Sequence, residues 1–417
     1  MPWRDIQFPK RLPLSLSFRR RAPLIIALLL LGFLPARADR PATPSPPAPH
    51  PPRLVVLIVI DQFRQDFLTR FTPFFGTGGF RRLMEQGANF TSAHYTNSTT
   101  YTGPGHACIV TGTYPYKNGI LAIYWYNRAS KQREAMVYDP DAQLLDGPTE
   151  PTDETSPRNL IGTTIGDQLI LSNNGHSRVL GLSNKDRAAQ IPGGKLGKAY
   201  WFSERRGEMT SSTYYGRMLP RWLQEVNARR LPDASFNRPW TRLLPESAYN
   251  ISRADDYPYE SNVEGLGRTF PHPVNGRLAA PGPAFYAAFM LTPWANDYQF
   301  AVARAAIEAE NLRRDEYPDF LSISLTAQDL VGHEFGPESQ EAQDLVVRTD
   351  RQLAEFLAYL TGRFAPEDLL IAFTADHGGM PIPEYLASLG LQAGRIPKME
   401  TRAVVERALD AHFGEGD

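Results

Sequence analysis

Apolar runs that end close to an aspartate recur along this chain. Residues 55–60 lead directly to Asp61, residues 320–325 lead to Asp329, and residues 369–374 lead to Asp376. Short β-rich runs separated by helical stretches are typical of strands in a mostly parallel sheet. Ligands of open α/β sheets bind just beyond the carboxyl ends of the strands. The pattern therefore predicts an α/β fold, a mostly parallel central sheet flanked by helices, with three aspartates at one edge.

The pattern between these runs predicts further elements and one insertion. Helices are expected near 79–86, 301–310 and 338–360, and a further strand is expected at 178–182. The interval 194–293 is rich in Tyr, Trp, Pro and Arg and has weak periodicity. We therefore expect this interval to be an insertion, or cap, over the edge of the sheet.

The N-terminus has the pattern of an export signal. Basic residues precede the apolar run 24–31, and Ala36-Arg37-Ala38 fits a small-x-small cleavage site. A retained membrane anchor is the alternative, but the run is short for a spanning helix. We expect a signal peptide at 1–38, a Pro-rich linker at 39–53 and a catalytic domain at 54–417. The protein would then be periplasmic or secreted, without a stable membrane anchor after cleavage.

Composition narrows the class of protein. The chain has 417 residues, a net charge of -1 and 42% hydrophobic residues, which suits a globular enzyme. Near-neutral charge gives no reason to expect nucleic acid as a dedicated partner. The single cysteine, Cys108, excludes an internal disulfide framework and a Cys-rich zinc module.

The aspartates and nearby histidines have the chemistry of a metal site. Zinc binds imidazole nitrogen and carboxylate oxygen, and catalytic sites leave one position open. Asp329 and His333 are four residues apart and share one face if the segment is helical. Single aspartates at strand ends are commonly turn formers or caps. Three such aspartates, two with histidines, favour a metal site formed by Asp61, Asp329, His333, Asp376 and His377.

Two further motifs suggest an anion site. Thr102, in Thr102-Gly103-Pro104-Gly105-His106, stands at an expected helix start, where free N–H groups favour a phosphate. A nearby metal would make its hydroxyl a nucleophile; an ordinary N-cap is the alternative. Lys185 and Arg187 follow a strand and are placed to hold an anion, arginine in a bidentate manner. A solvated charge cluster is the alternative for this pair.

Together these residues resemble the alkaline phosphatase superfamily. The most similar branch is that of the type I phosphodiesterase/nucleotide pyrophosphatase-related alkaline phosphatases, which use a threonine nucleophile. The stretches that carry the resemblance lie between Leu54 and about Pro383, and their order and spacing agree. They are 59–62, 101–106, 111–115, 185–187, 329–333 and 375–378.

The resemblance implies a phosphate monoester hydrolase with two zinc ions and a small phosphate ester as substrate. Thr102 would carry a covalent phosphoryl group and contact one zinc, which Asp61, Asp376 and His377 bind. Asp329 and His333 would bind the second zinc. Lys185 and Arg187 would hold the phosphate oxygens, as in the monoesterase members.

Two departures from the family pattern leave other functions open. The family places a phosphate-binding asparagine about twenty residues after the nucleophile, where this chain has Ile123; Asn127 follows four residues later. The family also places a third ligand of the second zinc far beyond the Asp-His pair, but the one histidine downstream here is His412. The second zinc site is therefore expected to be incomplete in the chain as given, through truncation or degeneration. A phosphodiesterase or nucleotide pyrophosphatase, and a catalytically impaired metal- or anion-binding homologue, are the alternative functions.

Overall fold

The predicted sheet is present in the computed structural model, which describes residues 50–147 and 155–415. The expected signal peptide and most of the expected linker lie outside these residues. The described residues form eight strands: β1 Leu54–Ile60, β2 Tyr124–Asn127, β3 Gln132–Ala135, β4 Val179–Ser183, β5 Lys198–Ser203, β6 Glu208–Thr210, β7 Asp319–Leu325 and β8 Leu369–Thr374.

Six of these strands form the central sheet, in the order β6-β5-β4-β7-β1-β8. Strands β5, β4, β7, β1 and β8 run parallel, and β6 pairs antiparallel with β5. The middle strands β1, β4 and β7 are almost wholly buried, as expected for parallel strands covered by helices on both faces. The predicted α/β fold class is thus confirmed. Strands β2 and β3 form a separate hairpin.

Helices cover the sheet. The described α-helices are α1 Asp66–Arg70, α2 Phe80–Gln86, α3 Thr102–Thr111, α4 Pro115–Asn118, α5 Ile165–Ser172, α6 Asp186–Gly193, α7 Arg221–Ala228, α8 Pro283–Met290, α9 Pro293–Ala309, α10 Ala327–Glu334, α11 Gln340–Arg363, α12 Pro383–Ser388 and α13 Lys398–Phe413. Short 3₁₀ helices lie at Thr72–Phe74, Leu231–Ser235, Glu246–Ile251, Val263–Gly265 and Pro366–Asp368. No helix in the described part of the chain combines the length and apolarity that crossing a membrane requires.

The first part of the interval 194–293 does not form the expected cap. This part contributes β5 and β6 to the central sheet, so it is sheet and not cap. Further along, Trp240 and Phe285 are buried in the same apolar cluster as Leu54 and Ile58 of β1. The abundance of aromatic residues therefore reflects packing against the core, which weakens any simple periodicity.

Two element boundaries also differ from the sequence predictions. Helix α9 begins at Pro293, eight residues before the expected start, because proline at the first helical position costs no hydrogen bond. Helix α11 begins after Ser339, whose hydroxyl accepts a hydrogen bond from the backbone N–H of Ala342. A side-chain cap of this kind fixes the start of a helix.

Candidate active site

Neighbouring parallel strands place the predicted site residues at one edge of the sheet. Lys185 follows β4, and Asp329 lies in α10 directly after β7. Asp61 follows β1, and Asp376 and His377 follow β8. Because β4, β7, β1 and β8 are adjacent, side chains that are distant in sequence meet in one cleft. The expectation that these strands share a functional edge agrees with this geometry.

Asp61 lies at the centre of the cleft and is fully buried. Its Oδ2 accepts hydrogen bonds from Lys185 Nζ at 2.8 Å and from Thr102 Oγ1 at 3.3 Å. Its Oδ1 lies 3.2 Å from His377 Nε2. One carboxylate therefore connects the expected nucleophile, the expected anion-binding lysine and an expected metal ligand.

Asp61, Asp376 and His377 form what we call the strand half-site, because all three directly follow strands. His377 Nδ1 donates to the carbonyl oxygen of Gly378 at 2.8 Å, which leaves Nε2 free to face Asp61. A histidine that donates through one ring nitrogen presents the other to a metal. His106 Nδ1 lies 3.2 Å from Asp376 Oδ2. The strand half-site is buried and sterically fixed.

Asp329 and His333 form the helix half-site, since both lie on α10. The helical spacing expected from the sequence is present, and His333 Nε2 lies 3.2 Å from Asp329 Oδ1. The side chain of Asp329 is 5% exposed, whereas that of His333 is 65% exposed. The helix half-site therefore opens towards solvent on its histidine side.

Thr102 is the first residue of α3 and is buried. Tyr101 occupies the N-cap position, and the Thr102 hydroxyl donates to Asp61, so Thr102 is not an ordinary N-cap. The glycines around it allow close approach: a Cβ at Gly105 would lie 2.4 Å from the Asp376 carbonyl oxygen. A Cβ at Gly103 would lie 2.0 Å from the sulfur of Met136. Small residues thus let α3 begin directly against the strand half-site.

Lys185 and Arg187 have different surroundings. Lys185 is buried, and its ammonium contacts both Asp61 and Asp329, so a solvated charge cluster does not describe it. Arg187 makes a 3.4 Å contact with Asp186, while its Nε is buried without a hydrogen-bond partner in the described residues. Lys185 therefore contacts both half-sites directly, whereas Arg187 contacts neither of them through a hydrogen bond or ion pair within the described residues.

The charges in the cleft shift one another's pKa values. Burial raises the pKa of Asp61, but Lys185 and His377 outweigh it and hold that pKa well below its usual range. Burial and the charge of Asp61 both raise the pKa of Asp376. Burial lowers the pKa of His377, yet contact with Asp61 and the charge of Asp376 raise it to about 9. The carboxylates thus draw positive charge into the cleft.

The cleft has the donor set of a divalent cation site. Ligand atoms of Asp61, Asp329 and His377 all lie within 4.8 Å of one another, and all three residues are buried. Two buried oxygens, Asp61 Oδ1 and Asp376 Oδ2, each lie 3.2 Å from a histidine nitrogen but accept no well-directed hydrogen bond within the described residues. Buried carboxylates are stable when paired or bound to a metal. Carboxylate oxygen with imidazole nitrogen fits zinc, and the cluster spans both half-sites.

None of the residues at the two departures from the family pattern is placed to replace the expected group. Ile123 is half-buried, and its carbonyl oxygen accepts a hydrogen bond from Met136 N. Asn127 does not replace the expected asparagine, because its amide donates to Glu134 within the β2–β3 hairpin. His412 lies on α13, where its ring packs against Phe413 and no described residue is buried.

Gln62 and His106 also belong to the site, although the sequence pattern predicted no role for Gln62 and included His106 only in a motif. Gln62 donates through its backbone N–H to Asp376 and through its side chain to Asp329. His106 contacts Asp376, as described above. The signal for Gln62 was its position beside Asp61, but sequence alone does not reveal what its side chain contacts.

Comparison with known proteins gives consistent matches over most of the chain. Residues 55–406 match a family described as type I phosphodiesterase / nucleotide pyrophosphatase. Alkaline phosphatase PhoV of Synechococcus elongatus is 36% identical over 380 residues, covering 89% of this chain and 68% of the relative. Alkaline phosphatase PafA of Elizabethkingia meningoseptica is 35% identical over 350 residues, covering 84% of this chain and 64% of the relative.

A solved structure supports the same relationship. The crystal structure of wild-type alkaline phosphatase PafA superimposes with a TM-score of 0.81 at 32% sequence identity. The match covers 87% of this chain and 69% of the solved one. The chain thus spans about two thirds of the length of these relatives.

Proposed function

Because this chain belongs to the type I phosphodiesterase / nucleotide pyrophosphatase family, within the alkaline phosphatase superfamily, we propose that it hydrolyses phosphate monoesters with zinc. In this proposal the reaction proceeds through a phosphoryl group covalently bound to Thr102. The relatives named alkaline phosphatase PhoV and PafA support the choice of phosphate esters as the substrate class.

One observation carries the proposal: the hydroxyl of Thr102 lies 3.3 Å from Oδ2 of Asp61, which is a member of the candidate cation cluster. A hydroxyl at a helix start faces free backbone N–H groups and the positive end of the helix dipole. A phosphate held there lies against the hydroxyl that would attack it. Nucleophile, anion site and metal ligands therefore coincide in one cleft.

Asp61, Asp376 and His377 would hold one zinc ion, and Asp329 and His333 the other. When bound, the two ions would supply Lewis-acid activation of the nucleophile and stabilisation of the leaving oxygen. The donor types and the two carboxylate oxygens without a well-directed hydrogen bond described above support this assignment.

The chain's own residues carry out the remaining tasks. Asp61 orients the Thr102 hydroxyl by accepting its hydrogen bond; the hydroxyl proton passes to solvent, and the Thr102 oxygen attacks phosphorus as the ester P–O bond breaks. The leaving oxygen takes a proton from solvent, and a water molecule then cleaves the phosphothreonine to release phosphate. Burial of Thr102 favours the pre-positioned attack, since holding reactants in place lowers the barrier.

Lys185 supports a monoester over a diester as substrate. Its ammonium is buried, contacts both half-sites and is a compact positive charge. A phosphate monoester carries one more charged oxygen than a diester, and a fixed positive charge beside the nucleophile stabilises that oxygen. The charge of Arg187 acts on the pKa of Lys185, and its guanidinium would extend the same anion site.

Parallel rate measurements on p-nitrophenyl phosphate and bis(p-nitrophenyl) phosphate test the proposal. The purified chain, loaded with zinc, should hydrolyse the monoester with the higher kcat/KM, and Thr102→Ala should abolish that activity. Thr113→Ala, a hydroxyl change beyond the C-terminal end of α3 and outside the cation cluster, is the matched control. A preference for the diester, or activity that survives Thr102→Ala, would contradict the proposal; zinc binding without turnover would indicate an impaired homologue.

A further inference from the structure

Gln62 links the two halves of the site. Its backbone N–H donates to Asp376 Oδ1 at 3.1 Å, and its side-chain Nε2 donates to Asp329 Oδ1 at 2.8 Å. The side chain is buried. One residue thus holds a carboxylate of the strand half-site through its main chain and a carboxylate of the helix half-site through its side chain.

The orientation of the Gln62 amide follows from its partners. An ionised carboxylate only accepts hydrogen bonds, so the group that faces Asp329 must be the NH₂ group. The opposite oxygen, Oε1, then lies against Gly332 and Gly379. A Cβ at Gly332 would lie 2.0 Å from Oε1, and one at Gly379 would lie 2.6 Å from it. Two glycines on different elements therefore enclose this amide closely.

The backbone of Gln62 indicates that its side chain has a specific role. Gln62 has φ 60°, in the left-handed region that glycine occupies without strain. A residue with a side chain costs about 1–2 kcal/mol more in this conformation. Glycine would relieve that strain but would remove the hydrogen bond to Asp329. Strained conformations of this kind concentrate at functional sites.

The hydrogen bonds of Gln62 occupy the same oxygen of both carboxylates. Oδ1 of Asp376 accepts from Gln62 N and also from His377 N at 2.9 Å, while its Oδ2 is unpartnered in the described residues. Oδ1 of Asp329 accepts from Gln62, and its Oδ2 contacts Lys185. Both carboxylates are thereby fixed in orientation: Oδ2 of Asp376 has no hydrogen bond within the described residues, and Oδ2 of Asp329 faces the Lys185 ammonium. Such outer contacts orient metal ligands and determine their affinity.

We propose that Gln62 is a positioning residue that fixes the relative placement of the two half-sites, with its side chain acting on Asp329 and its backbone on Asp376. The inference rests on the proposed function only in that both half-sites bind a divalent cation. It predicts unequal effects of side-chain changes. Altering the side chain weakens cation binding at the helix half-site, and the strand half-site keeps its backbone hydrogen bond.

The test is zinc binding by the full chain with Gln62→Met, which keeps the length of the side chain and removes its donor. Chelator competition should show one zinc bound as tightly as in the unaltered protein and the other about 10–100-fold more weakly. The absorption spectrum of the Co²⁺-substituted protein should change for the weakened ion alone. Gln299→Met is the matched control, because Gln299 is fully buried and its amide has no hydrogen bond within the described residues.

A double-mutant cycle with Gly332 tests the contact in case Gln62→Met does not fold. Gly332→Ala retains Gln62 but places a methyl group against Oε1, so it should also weaken one zinc. In the Gln62→Ala background the methyl group has room, so Gly332→Ala should add no further loss. Additive losses would overturn the proposed contact, because independent sites add and coupled ones do not.

The outcomes separate this inference from the proposed function. Two zinc affinities unchanged by Gln62→Met, alongside monoester hydrolysis, would overturn the inference and leave the function standing. Selective loss of one zinc in a protein that hydrolyses no ester would support the inference and contradict the function. A chain that binds no zinc would overturn both.

Discussion

The two half-sites use similar donors in different settings. The strand half-site collects Asp61, Asp376 and His377 from the ends of two neighbouring strands, and the His377 side chain is 6% exposed. The helix half-site takes both of its residues from one helix, and its His333 side chain is 65% exposed. All three residues of the strand half-site are buried, which restricts their motion, whereas the helix half-site depends on neighbouring contacts. The difference predicts which substitutions affect both half-sites and which affect one.

Asp61→Asn should have the largest effect, because Asp61 contacts the strand half-site, Thr102 and Lys185. Loss of a single oxyanion donor costs about 10²–10³ in rate. A change that disturbs nucleophile, cation ligand and lysine together should lower kcat/KM by about 10³ or more. Steady-state kinetics on p-nitrophenyl phosphate measure this. Asp66→Asn, a change at a partly exposed carboxylate on α1 that pairs with Arg64, is the control and should retain activity.

Lys185→Met should have the next largest effect, since Lys185 contacts both half-sites. We expect kcat/KM for the monoester to fall by about 10²–10³, with a smaller fall for the diester. Without metal, removal of one partner from a buried ion pair should destabilise the protein by about 3–5 kcal/mol, and zinc should offset much of that loss. Denaturant unfolding with and without zinc measures both quantities.

The companion substitution Lys198→Met removes an ammonium that donates to the Tyr215 carbonyl oxygen and has no other hydrogen bond within the described residues. It should change the rates and the unfolding free energy much less than Lys185→Met. Equal loss of monoester and diester hydrolysis in Lys185→Met would contradict the role given to its charge. An unchanged unfolding free energy in the metal-free protein would contradict its role as a bridge between the half-sites.

The two histidines should differ in their effect on stability. His333→Ala changes an exposed side chain, and the metal-free unfolding free energy should change by no more than about 0.5 kcal/mol. His377→Ala removes a buried ring that donates to the Gly378 carbonyl oxygen, and should cost about 1–3 kcal/mol. Both should weaken zinc binding. If His333→Ala and His377→Ala lowered the unfolding free energy of the chelator-treated protein equally, the half-sites would not differ in rigidity.

Glu260, on the side of the helix half-site, should affect how the unfolding free energy depends on pH. Burial and the charge of Glu341 raise the pKa of Glu260 to about 8 despite the neighbouring Arg253, and the adjacent Ser261 N donates to Glu334 O. The folded protein therefore keeps a proton on Glu260 that the unfolded chain loses near its ordinary value of 4.5. The unfolding free energy should fall as pH rises between these two values.

Glu260→Gln removes this titration, so the unfolding free energy should decline less steeply with pH over the same interval. Urea unfolding at a series of pH values measures the slope. Glu85→Gln, a change at an exposed residue of α2, should leave the slope unaltered. An unchanged slope in Glu260→Gln would show that Glu260 ionises alike in the folded and unfolded states.

The sequence predicted most of the fold and many of the contacts within the candidate site, for identifiable reasons. Mostly apolar runs marked β1, β7 and β8, and the parallel arrangement of these strands brings Asp61, Asp329 and Asp376 to one edge. The i,i+4 spacing placed His333 beside Asp329. In contrast, β5 was missed because its aromatic residues pack against helices and its buried positions show no simple alternation, and β6 was missed because it is only 3 residues long. Gln62 was missed because its role depends on a left-handed backbone and two distant glycines.

The central claim is that Thr102 is the nucleophile at the junction of the two half-sites. The most direct measurement is to quench zinc-loaded protein with acid during turnover of a phosphate monoester and to map phosphorylated peptides by mass spectrometry. The account predicts one phosphoryl group on Thr102, absent in Thr102→Ala and absent without substrate. Turnover with no phosphorylated peptide, or with the phosphoryl group on another residue, would contradict it.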